Sequence, residues 1–227
     1  MIVATPPPLT DQADDIERVW NVFVLIALVV GVFVVGLICY AIVRFRSRGD
    51  SLPKQVHYNI PVEIAYTAIP LLVVIGLFAI TFTSVRAIDS GDDDPDLVVD
   101  VVAFQWQWQF GYPESGATVV GTASGYPELV LPAGASVEFS LTSADVIHSF
   151  WIPGFRFKRD IFPGETTTFQ VDVGEHTGSY PASGVCAEFC GLDHHKMHFS
   201  VRIVAAAEFE RWLADRADAG SVAGSDG

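Results

Sequence analysis

Two cysteines, three histidines and one methionine lie within residues 184–199 of this chain, which read GVCAEFCGLDHHKMHF. Three residues separate Cys186 from Cys190; His194 follows four positions later, and Met197 three positions after that. Thiolate, imidazole and thioether together suit copper better than they suit harder cations. The segment therefore predicts a copper site.

The number of thiolates decides which kind of copper site to expect. A mononuclear electron-transfer copper uses one cysteine, two histidines and a weak axial methionine. Because this loop carries two cysteines, we expect their thiolates to bridge two copper ions, each also bound by one imidazole and one weak ligand. His148, in the run DVIHSFW, is the best candidate for the second imidazole, since it ends a strand-like segment beside Pro153–Gly154.

Other uses of the same residues remain open at this point. Cys186 and Cys190 could form a disulfide outside the cell, although the nearby ligands would then be unexplained. Two cysteines and two histidines could hold structural zinc, which has little use for the thioether of Met197. His195 competes with His194, because one residue of slip would exchange them.

Two apolar segments near the start of the chain predict membrane spans. Val19–Val43 contains no charged side chain and as a helix would measure roughly 37 Å, against a hydrocarbon core of about 30 Å. Ile64–Val85 is also uncharged. We expect the first segment to be a retained anchor rather than a cleaved signal, because its flank is acidic and proline-rich. Cys39 is predicted to be a small apolar residue of this span.

Basic residues set the expected orientation. The loop between the spans carries Arg44, Arg46, Arg48 and Lys54, whereas both outer flanks are acidic. The positive-inside rule places this loop in the cytoplasm. We therefore expect a two-pass protein of the plasma membrane, with both termini and everything after residue 86 on the outer face.

The charge balance limits the partners. The formal net charge of −14 argues against nucleic acid. It permits a basic protein partner steered by charge. It equally fits solvation in concentrated salt, where screening would weaken such steering.

The expected organisation has five parts. They are an outer segment 1–18, a helical hairpin 19–86 with cytoplasmic loop 44–60, an acidic linker 87–96, a β-domain 97–205, and a short helix with a disordered tail, 206–227. Short strand-like runs separated by turn residues predict a β-sandwich or barrel. These runs are Leu97–Phe110, Glu128–Leu131, Ser136–Leu141, Thr166–Val173 and Met197–Val204. Ala205–Ala217 has an amphipathic pattern, and the tail from Asp218 has a disordered composition.

Together these residues resemble subunit II of the haem–copper respiratory oxidases. The family's copper loop, Cys-x-Glu-x-Cys-Gly-x-x-His-x-x-Met, is matched throughout. Weaker motifs follow the family's order along nearly the whole chain. The matches are Cys186, Glu188, Cys190, Gly191, His194 and Met197; Asp145 to Ser149; Lys158, Asp160, Pro163 and Gly164; Gln105, Trp106 and Trp108; and Glu63, Thr67 and Pro70, with Tyr66 in place of tryptophan.

The resemblance implies two membrane helices followed by a cupredoxin-like Greek-key barrel with a dinuclear copper centre. Cys186 and Cys190 would bridge the metals, His148 and His194 would each bind one, and the weak ligands would be Met197 and the Glu188 carbonyl. The Glu188 carboxylate would also reach a magnesium ion shared with subunit I. Trp106 would be the electron-entry residue, and Glu63 the entrance of a proton path. The partners would be a haem-bearing subunit I, a subunit III, membrane lipid and a soluble donor.

Two departures affect the expected donor. Gln107 stands between the tryptophans, and Phe110 occupies a position where the family often has tyrosine. Cytochrome c is the default donor and a small blue copper protein is the alternative. Core packing is a competing role for Trp106 and Trp108, since alternate strand positions share a face.

Three other functions occur in proteins with a similar ligand loop or a similar fold. A membrane-anchored copper-delivery protein is compatible with the ligand loop. Nitrous oxide reduction would need a further catalytic domain, for which the chain has no room. A quinol oxidase subunit would lack the copper ligands. The leading hypothesis is the electron-entry subunit of a cytochrome c oxidase, which passes electrons to haem in subunit I for oxygen reduction coupled to proton translocation.

Overall fold

A computed structural model describes residues 6–46, 49, 57–89, 91, 94–122 and 125–223, with the side chains of residue 89 and of residues 218–223 left undescribed. The predicted cytoplasmic residues Arg48 and Lys54, and residues 90, 92 and 93 of the predicted acidic linker, lie outside this range. The described chain forms two compact units. One is the helical segment Ile16–Ala87, and the other joins residues 6–15 to the chain from Ile88 onward.

Two long helices confirm the predicted pair of spans. Helix α1 covers Asp11–Arg44 and helix α2 covers Ile60–Asp89. Both are long and apolar enough to cross a membrane. Helix α1 begins eight residues before the predicted apolar span because Thr10 caps it: the Thr10 Oγ1 accepts the Ala13 N–H at 3.1 Å, and prolines precede it.

Ten strands form the β-domain. They are β1 (Leu97–Phe104), β2 (Gln107–Tyr112), β3 (Ala117–Val120), β4 (Glu128–Pro132), β5 (Ser136–Ser143), β6 (His148–Ile152), β7 (Phe157–Ile161), β8 (Thr167–Asp172), β9 (Gly178–Cys186) and β10 (His198–Val204). One five-stranded sheet has the order β3-β2-β1-β5-β8, and the other has the order β4-β10-β9-β6-β7. The β1–β5 and β4–β10 pairs are parallel and the others antiparallel. This two-sheet sandwich confirms the cupredoxin-like expectation.

The predicted strand Leu97–Phe110 is two strands joined by a tight turn. Strand β1 ends at Phe104, Gln105 and Trp106 form the turn, and β2 returns antiparallel with Phe104 opposite Gln107. Sequence alternation continues through the turn, because a two-residue hairpin preserves the period of two. Trp106 therefore lies at the tip of a hairpin and not within a strand.

Aromatic side chains fill the space between the sheets. Trp108 is fully buried, with its ring 5.3 Å from Phe199 and 5.8 Å from Phe150. Phe150 and Phe199 stack at 5.0 Å, and Trp108 also reaches the ring of His148 at 6.4 Å. Core packing is thus the role of Trp108, and it places a rigid aromatic layer behind a predicted metal ligand.

Four strands, β3, β6, β7 and β9, were not predicted. Strand β9 contains Pro181, which ordinarily argues against a central strand. The register between β9 and β10 shifts at this point, so that Pro181 lies in an irregularity where Ala182 adopts a φ of 48°. A bulge tolerates the missing N–H, and the strand then continues to Cys186.

Residues before helix α1, together with the first residues of that helix, pack against the β-domain. Leu9 donates its N–H to the Gly154 carbonyl at 2.9 Å and accepts the Gly174 N–H at 3.0 Å. Leu9, Thr10 and Ala13 are buried. We call residues 6–15 the N-terminal strap. Its contacts span more than 140 positions of sequence, which explains why local patterns did not predict them.

Helix α3 covers Ala206–Ala223 and closes the end of the domain. Phe209 is buried, and Trp212 meets Tyr112 with ring centroids 5.1 Å apart. The predicted helix ended at Ala217 with a disordered tail from Asp218. The helix instead continues for six further residues, DAGSVA, which contain no proline to end it.

Candidate metal centre

Five side chains predicted to bind copper converge on one point of the β-domain. The Sγ atoms of Cys186 and Cys190 are 3.8 Å apart. The Nδ1 of His148 lies 3.8 Å from the Cys186 sulfur, and the Nδ1 of His194 lies 3.5 Å from the Cys190 sulfur. The Met197 Sδ is 3.8 Å from Cys190. Each cysteine sulfur therefore has its own imidazole nitrogen beside it.

The two cysteines are free thiols. Their 3.8 Å separation far exceeds the roughly 2.05 Å of a disulfide bond, so the disulfide alternative is not realised. Burial, with the negative charge of Cys186, raises the pKa of the Cys190 thiol to about 12. Burial would also raise the pKa of Cys186, but hydrogen bonding, first with His148, outweighs it and lowers that pKa to about 7. Without metal, the first thiol loses its proton readily and the second resists.

The loop geometry explains how both thiols reach the site. Cys186 ends β9, where its N–H donates to the Met197 carbonyl at 3.0 Å. The turn at Gly191 has a φ of 122°, which favours glycine, and it returns the chain towards a short helical turn, His194–Lys196. Met197 is buried at the end of this turn, immediately before β10.

The expectation that His148 ends a strand was wrong: the bend before it leaves His148 as the first residue of β6, where it is fully buried. Its Nε2 lies 2.8 Å from the Asp145 Oδ1, and because a carboxylate only accepts, Nε2 carries the proton. Nδ1, which faces Cys186, is then free to bind metal. Burial disfavours the charged ring, but contacts with Cys186 and Asp145 prevail and raise the pKa of His148.

Asp145 also joins the site to the hairpin tip. Burial alone would raise its pKa, but hydrogen bonding, first from His148, lowers it. Its Oδ2 accepts the Gln105 N–H at 2.7 Å, and its Oδ1 accepts the Val146 N–H at 2.6 Å. Sequence reasoning used Asp145 only as part of a motif; its position three residues before His148 was the signal for this contact.

His194 is the histidine beside the thiols. Its neighbour His195 is exposed, and the His195 carbonyl oxygen lies 3.0 Å from the His198 Nε2. The geometry thus separates the two candidates in favour of His194. The ring of exposed Phe189 covers one side of His194, with centroids 5.8 Å apart.

Glu188 presents two different groups. Its carbonyl oxygen lies 3.2 Å from the Cys186 sulfur, within the cluster. Glu188 is an exposed residue, so its side-chain carboxylate faces outward from the domain. The backbone and the side chain of one residue can therefore serve different purposes.

Trp106 contacts the cysteine loop from the hairpin tip. Its indole Nε1 donates to the Cys190 carbonyl at 3.2 Å, and the Gln105 Nε2 donates to the same oxygen at 2.7 Å. Trp106 is only partly buried, unlike Trp108. The sequence analysis matched Gln105 only as part of a motif. No local sequence pattern predicts its hydrogen bond to Cys190, which is 85 residues away.

Glu63 lies at the start of helix α2, in the other compact unit. Its Oε1 accepts the Asn59 N–H at 2.9 Å, while the Asn59 Oδ1 faces the Val62 N–H at 3.5 Å. This reciprocal arrangement resembles a capping box and gives Glu63 a structural use at the helix start.

The donor set suits copper. Two thiolates, two imidazoles and a thioether are soft and borderline ligands, which favour copper over hard cations, and the thioether is of little use to zinc. Among the described residues, ligand atoms of His148, Cys186 and Cys190 lie within 4.8 Å of one another, and the His194 Nδ1 and the Met197 Sδ adjoin this group at the Cys190 sulfur.

Comparisons with known proteins agree with this geometry. Residues 4–86 match the family model "Cytochrome C oxidase subunit II, transmembrane domain", and residues 123–204 match "Cytochrome C oxidase subunit II, periplasmic domain". A probable cytochrome c oxidase subunit 2 from Streptomyces avermitilis is 36% identical over 95% of this chain and 79% of the relative. One from Nocardia farcinica is 33% identical over 93% of this chain and 73% of the relative.

Among solved structures, the periplasmic domain of subunit II of cytochrome oxidase from Bradyrhizobium japonicum is 28% identical, with a TM-score of 0.49, and covers 54% of this chain and 94% of that one. The family matches, the relatives and the cysteine–histidine cluster describe a membrane-anchored copper protein with an extracellular domain, associated with other oxidase subunits. The chain belongs to the family of cytochrome c oxidase subunit II, the electron-entry subunit of an oxidoreductase complex.

Proposed function

We propose that the converging side chains hold a dinuclear copper centre. In this centre Cys186 and Cys190 would bridge the metals, His148 and His194 would bind one metal each, and Met197 and the Glu188 carbonyl would be the weak ligands. The single observation that carries this proposal is the pair of sulfurs 3.8 Å apart, each with a different imidazole nitrogen at 3.5–3.8 Å. A mononuclear electron-transfer copper uses a single cysteine and would leave the second thiolate without a metal.

Copper loading of the detergent-solubilised full chain tests the ligand assignment. We expect two coppers per chain, and a His195→Ala variant should bind as many as the unaltered chain. His194→Ala, the matched change one residue earlier, should lose copper. Equal loss in both variants, or a single copper in the unaltered chain, would contradict the assignment.

The protein contributes rigidity to electron transfer. When bound, the copper pair supplies a one-electron site whose charge change is shared between two metals. Asp145 fixes the His148 ring, the β9 and β10 strands fix the cysteine loop, and the aromatic layer of Trp108, Phe150 and Phe199 excludes water behind the site. Ligands held in this way move little between redox states, and the surrounding shell tunes the potential.

Electrons enter at Trp106 in this proposal. The indole N–H is one hydrogen bond from the carbonyl of a bridging cysteine, at 3.2 Å, and the residue is partly exposed at a hairpin tip. The donor is cytochrome c or a small blue copper protein. Rapid mixing of reduced donor with the copper-loaded chain tests this: Trp106→Phe, which keeps the ring but lacks the N–H, should slow reduction, whereas equal rates would remove the indole N–H from the path.

The partners follow from the family and the orientation of the ligands. A haem-bearing subunit I accepts the electron, with subunit III in the same complex. The exposed Glu188 carboxylate reaches a magnesium ion shared with subunit I, since carboxylate oxygen is a ligand that magnesium prefers. The copper-delivery alternative has no observation in its favour.

Glu63 and the membrane topology belong to the same proposal. Both termini and the copper domain face outward, and Glu63 lies at the cytoplasmic entrance of a proton path in subunit I. The hydrogen bond that its carboxylate accepts from the Asn59 N–H is a competing, structural role for the same side chain. In the purified complex, Glu63→Gln should slow proton uptake while electron entry at the copper centre is unchanged; a destabilised helix with unchanged proton uptake would leave Glu63 as a cap alone.

A further inference from the structure

Gln105 is an exposed residue whose side chain nevertheless bonds inward. Its Nε2 donates to the Cys190 carbonyl oxygen at 2.7 Å, whereas the Trp106 Nε1 donates to the same oxygen at the longer distance of 3.2 Å. Burial does not explain the Gln105 contact, because an exposed amide is free to bond to water instead. The side chain therefore holds one particular oxygen, and that oxygen belongs to a residue proposed to bridge two coppers.

The backbone of Gln105 bonds to the ligands at a second point. Its N–H donates to the Asp145 Oδ2 at 2.7 Å, and the Asp145 Oδ1 accepts the proton of the His148 Nε2 at 2.8 Å. Gln105 thus contacts the carboxylate that orients His148 and also the loop that carries Cys190. One residue at the hairpin tip connects two parts of the proposed centre that come from different strands.

The cysteine loop leaves room for two donors on one oxygen. A Cβ at Gly191 would lie 3.0 Å from the Gln105 Nε2 and 3.2 Å from the Trp106 Nε1. A side chain at Gly191 would therefore force both donors away from the Cys190 carbonyl. A carbonyl oxygen has two lone pairs and accepts both hydrogen bonds. The arrangement is a shared acceptor with Gln105 as the closer donor.

We propose that Gln105 is a positioning residue for electron entry: its amide fixes the Cys190 carbonyl and, as the closer donor, keeps the Trp106 hydrogen bond long. The proposal rests on the proposed copper pair and on electron entry at Trp106. The positive end of the amide dipole points towards a bridging residue, so it favours the state of the centre that holds one more electron. Removing the amide leaves the oxygen to Trp106.

The metal-free full chain in detergent tests the shared acceptor without copper. Gln105→Met keeps the length of the side chain but lacks the amide. The indole N–H resonance of Trp106, assigned by its loss in Trp106→Phe, should move to lower field and exchange more slowly with deuterium in Gln105→Met, because the indole then bonds more strongly to the Cys190 carbonyl. An unchanged resonance, or faster exchange, would overturn the claim that Gln105 limits this hydrogen bond.

Gln107→Met is the matched control. The Gln107 Nε2 donates to the Thr122 carbonyl at 3.0 Å, so this change removes the same kind of hydrogen bond from the same hairpin without touching the cysteine loop. The exchange rate of the Trp106 indole N–H should stay as in the unaltered chain. Equal changes in Gln105→Met and Gln107→Met would show a general disturbance of the hairpin and would overturn the proposal.

The reduction potential of the copper-loaded chain tests the consequence for electron entry. At equilibrium one electron passes from a soluble mediator to the centre, so the ratio of oxidised to reduced mediator gives the equilibrium constant for reduction. Gln105→Met should lower this constant about three- to tenfold, as expected for the loss of one hydrogen bond beside a group whose charge changes. A tenfold change corresponds to about 59 mV for one electron. Gln107→Met should leave the constant unchanged, and all three chains should bind two coppers.

The outcomes separate this proposal from the proposed function. An unchanged equilibrium constant in a fully loaded Gln105→Met variant would leave Gln105 as a structural contact and overturn its role in electron entry. If the unaltered chain holds no copper pair, the proposed function fails and the role in electron entry fails with it. The shared hydrogen bond would still stand or fall on the metal-free measurement.

Discussion

Replacing Asp145 with asparagine should loosen the copper centre without removing a ligand. The carboxylate accepts three hydrogen bonds, from the His148 ring at 2.8 Å, the Gln105 N–H at 2.7 Å and the Val146 N–H at 2.6 Å. An amide has one accepting oxygen and no charge, so one of these donors must face an NH₂ group. The His148 ring then loses the partner that fixes its tautomer and orientation.

The expected loss of copper affinity is about 10- to 100-fold, the usual cost of removing a carboxylate that orients a metal-bound histidine. This corresponds to about 1.4–2.8 kcal/mol. Competition against a chelator, in the detergent-solubilised full chain, measures it. Asp160→Asn is the matched control, since Asp160 accepts hydrogen bonds from the Ser149 hydroxyl at 2.7 Å and from the Lys158 ammonium at 3.2 Å, and neither side chain is a predicted copper ligand.

The pH dependence gives a second check on the same residue. Because the pKa of Asp145 is lowered on folding, its contribution to the stability of the metal-free domain is present above the ordinary value of about 4 and is lost as the pH falls below it. The difference in thermal stability between the unaltered chain and Asp145→Asn should therefore shrink in acid. Equal copper affinity in both proteins would refute the role assigned to this carboxylate.

Three further outcomes are expected. Gly184→Ala should destabilise the β-domain by about 1–3 kcal/mol, because its Cβ would meet the buried ring of Phe199; an unchanged thermal midpoint would contradict this packing. Leu9→Ala should cost about 2–5 kcal/mol if the N-terminal strap is part of the domain, and a negligible change in the same melting experiment would remove the strap from the core. Copper uptake at pH 7 should release protons, since the raised pKa of Cys190 keeps that thiol protonated; an indicator that records no release would show that it is already ionised.

The clustering of the candidate ligands could be predicted from sequence because four of them are concentrated on one loop. Types and spacing of Cys186, Cys190, His194 and Met197 were sufficient to predict copper, and the turn residues near His148 predicted a loop that could face them. Spacing could not separate His194 from His195. That choice depends on a short helical turn, which directs the His194 Nδ1 towards the Cys190 sulfur at 3.5 Å.

The residues that position the ligands were less predictable. The hydrogen bonds of Gln105 to Cys190 and to Asp145 join positions 85 and 40 residues apart, and nothing local marks them. The turn at Trp106 could not be predicted because the alternation of apolar and polar residues continues from β1 through the turn into β2. Strand β9 could not be predicted because it contains Pro181, and a proline within a central strand is accommodated at a bulge in the pairing with the neighbouring strand β10.

Electron paramagnetic resonance of the copper-loaded full chain tests the central claim most directly. The two-thiolate geometry predicts one unpaired electron shared by two equivalent coppers, with the corresponding hyperfine pattern, and predicts its loss in Cys186→Ser. A pattern from a single copper, persisting when either cysteine is replaced, would contradict a bridged pair.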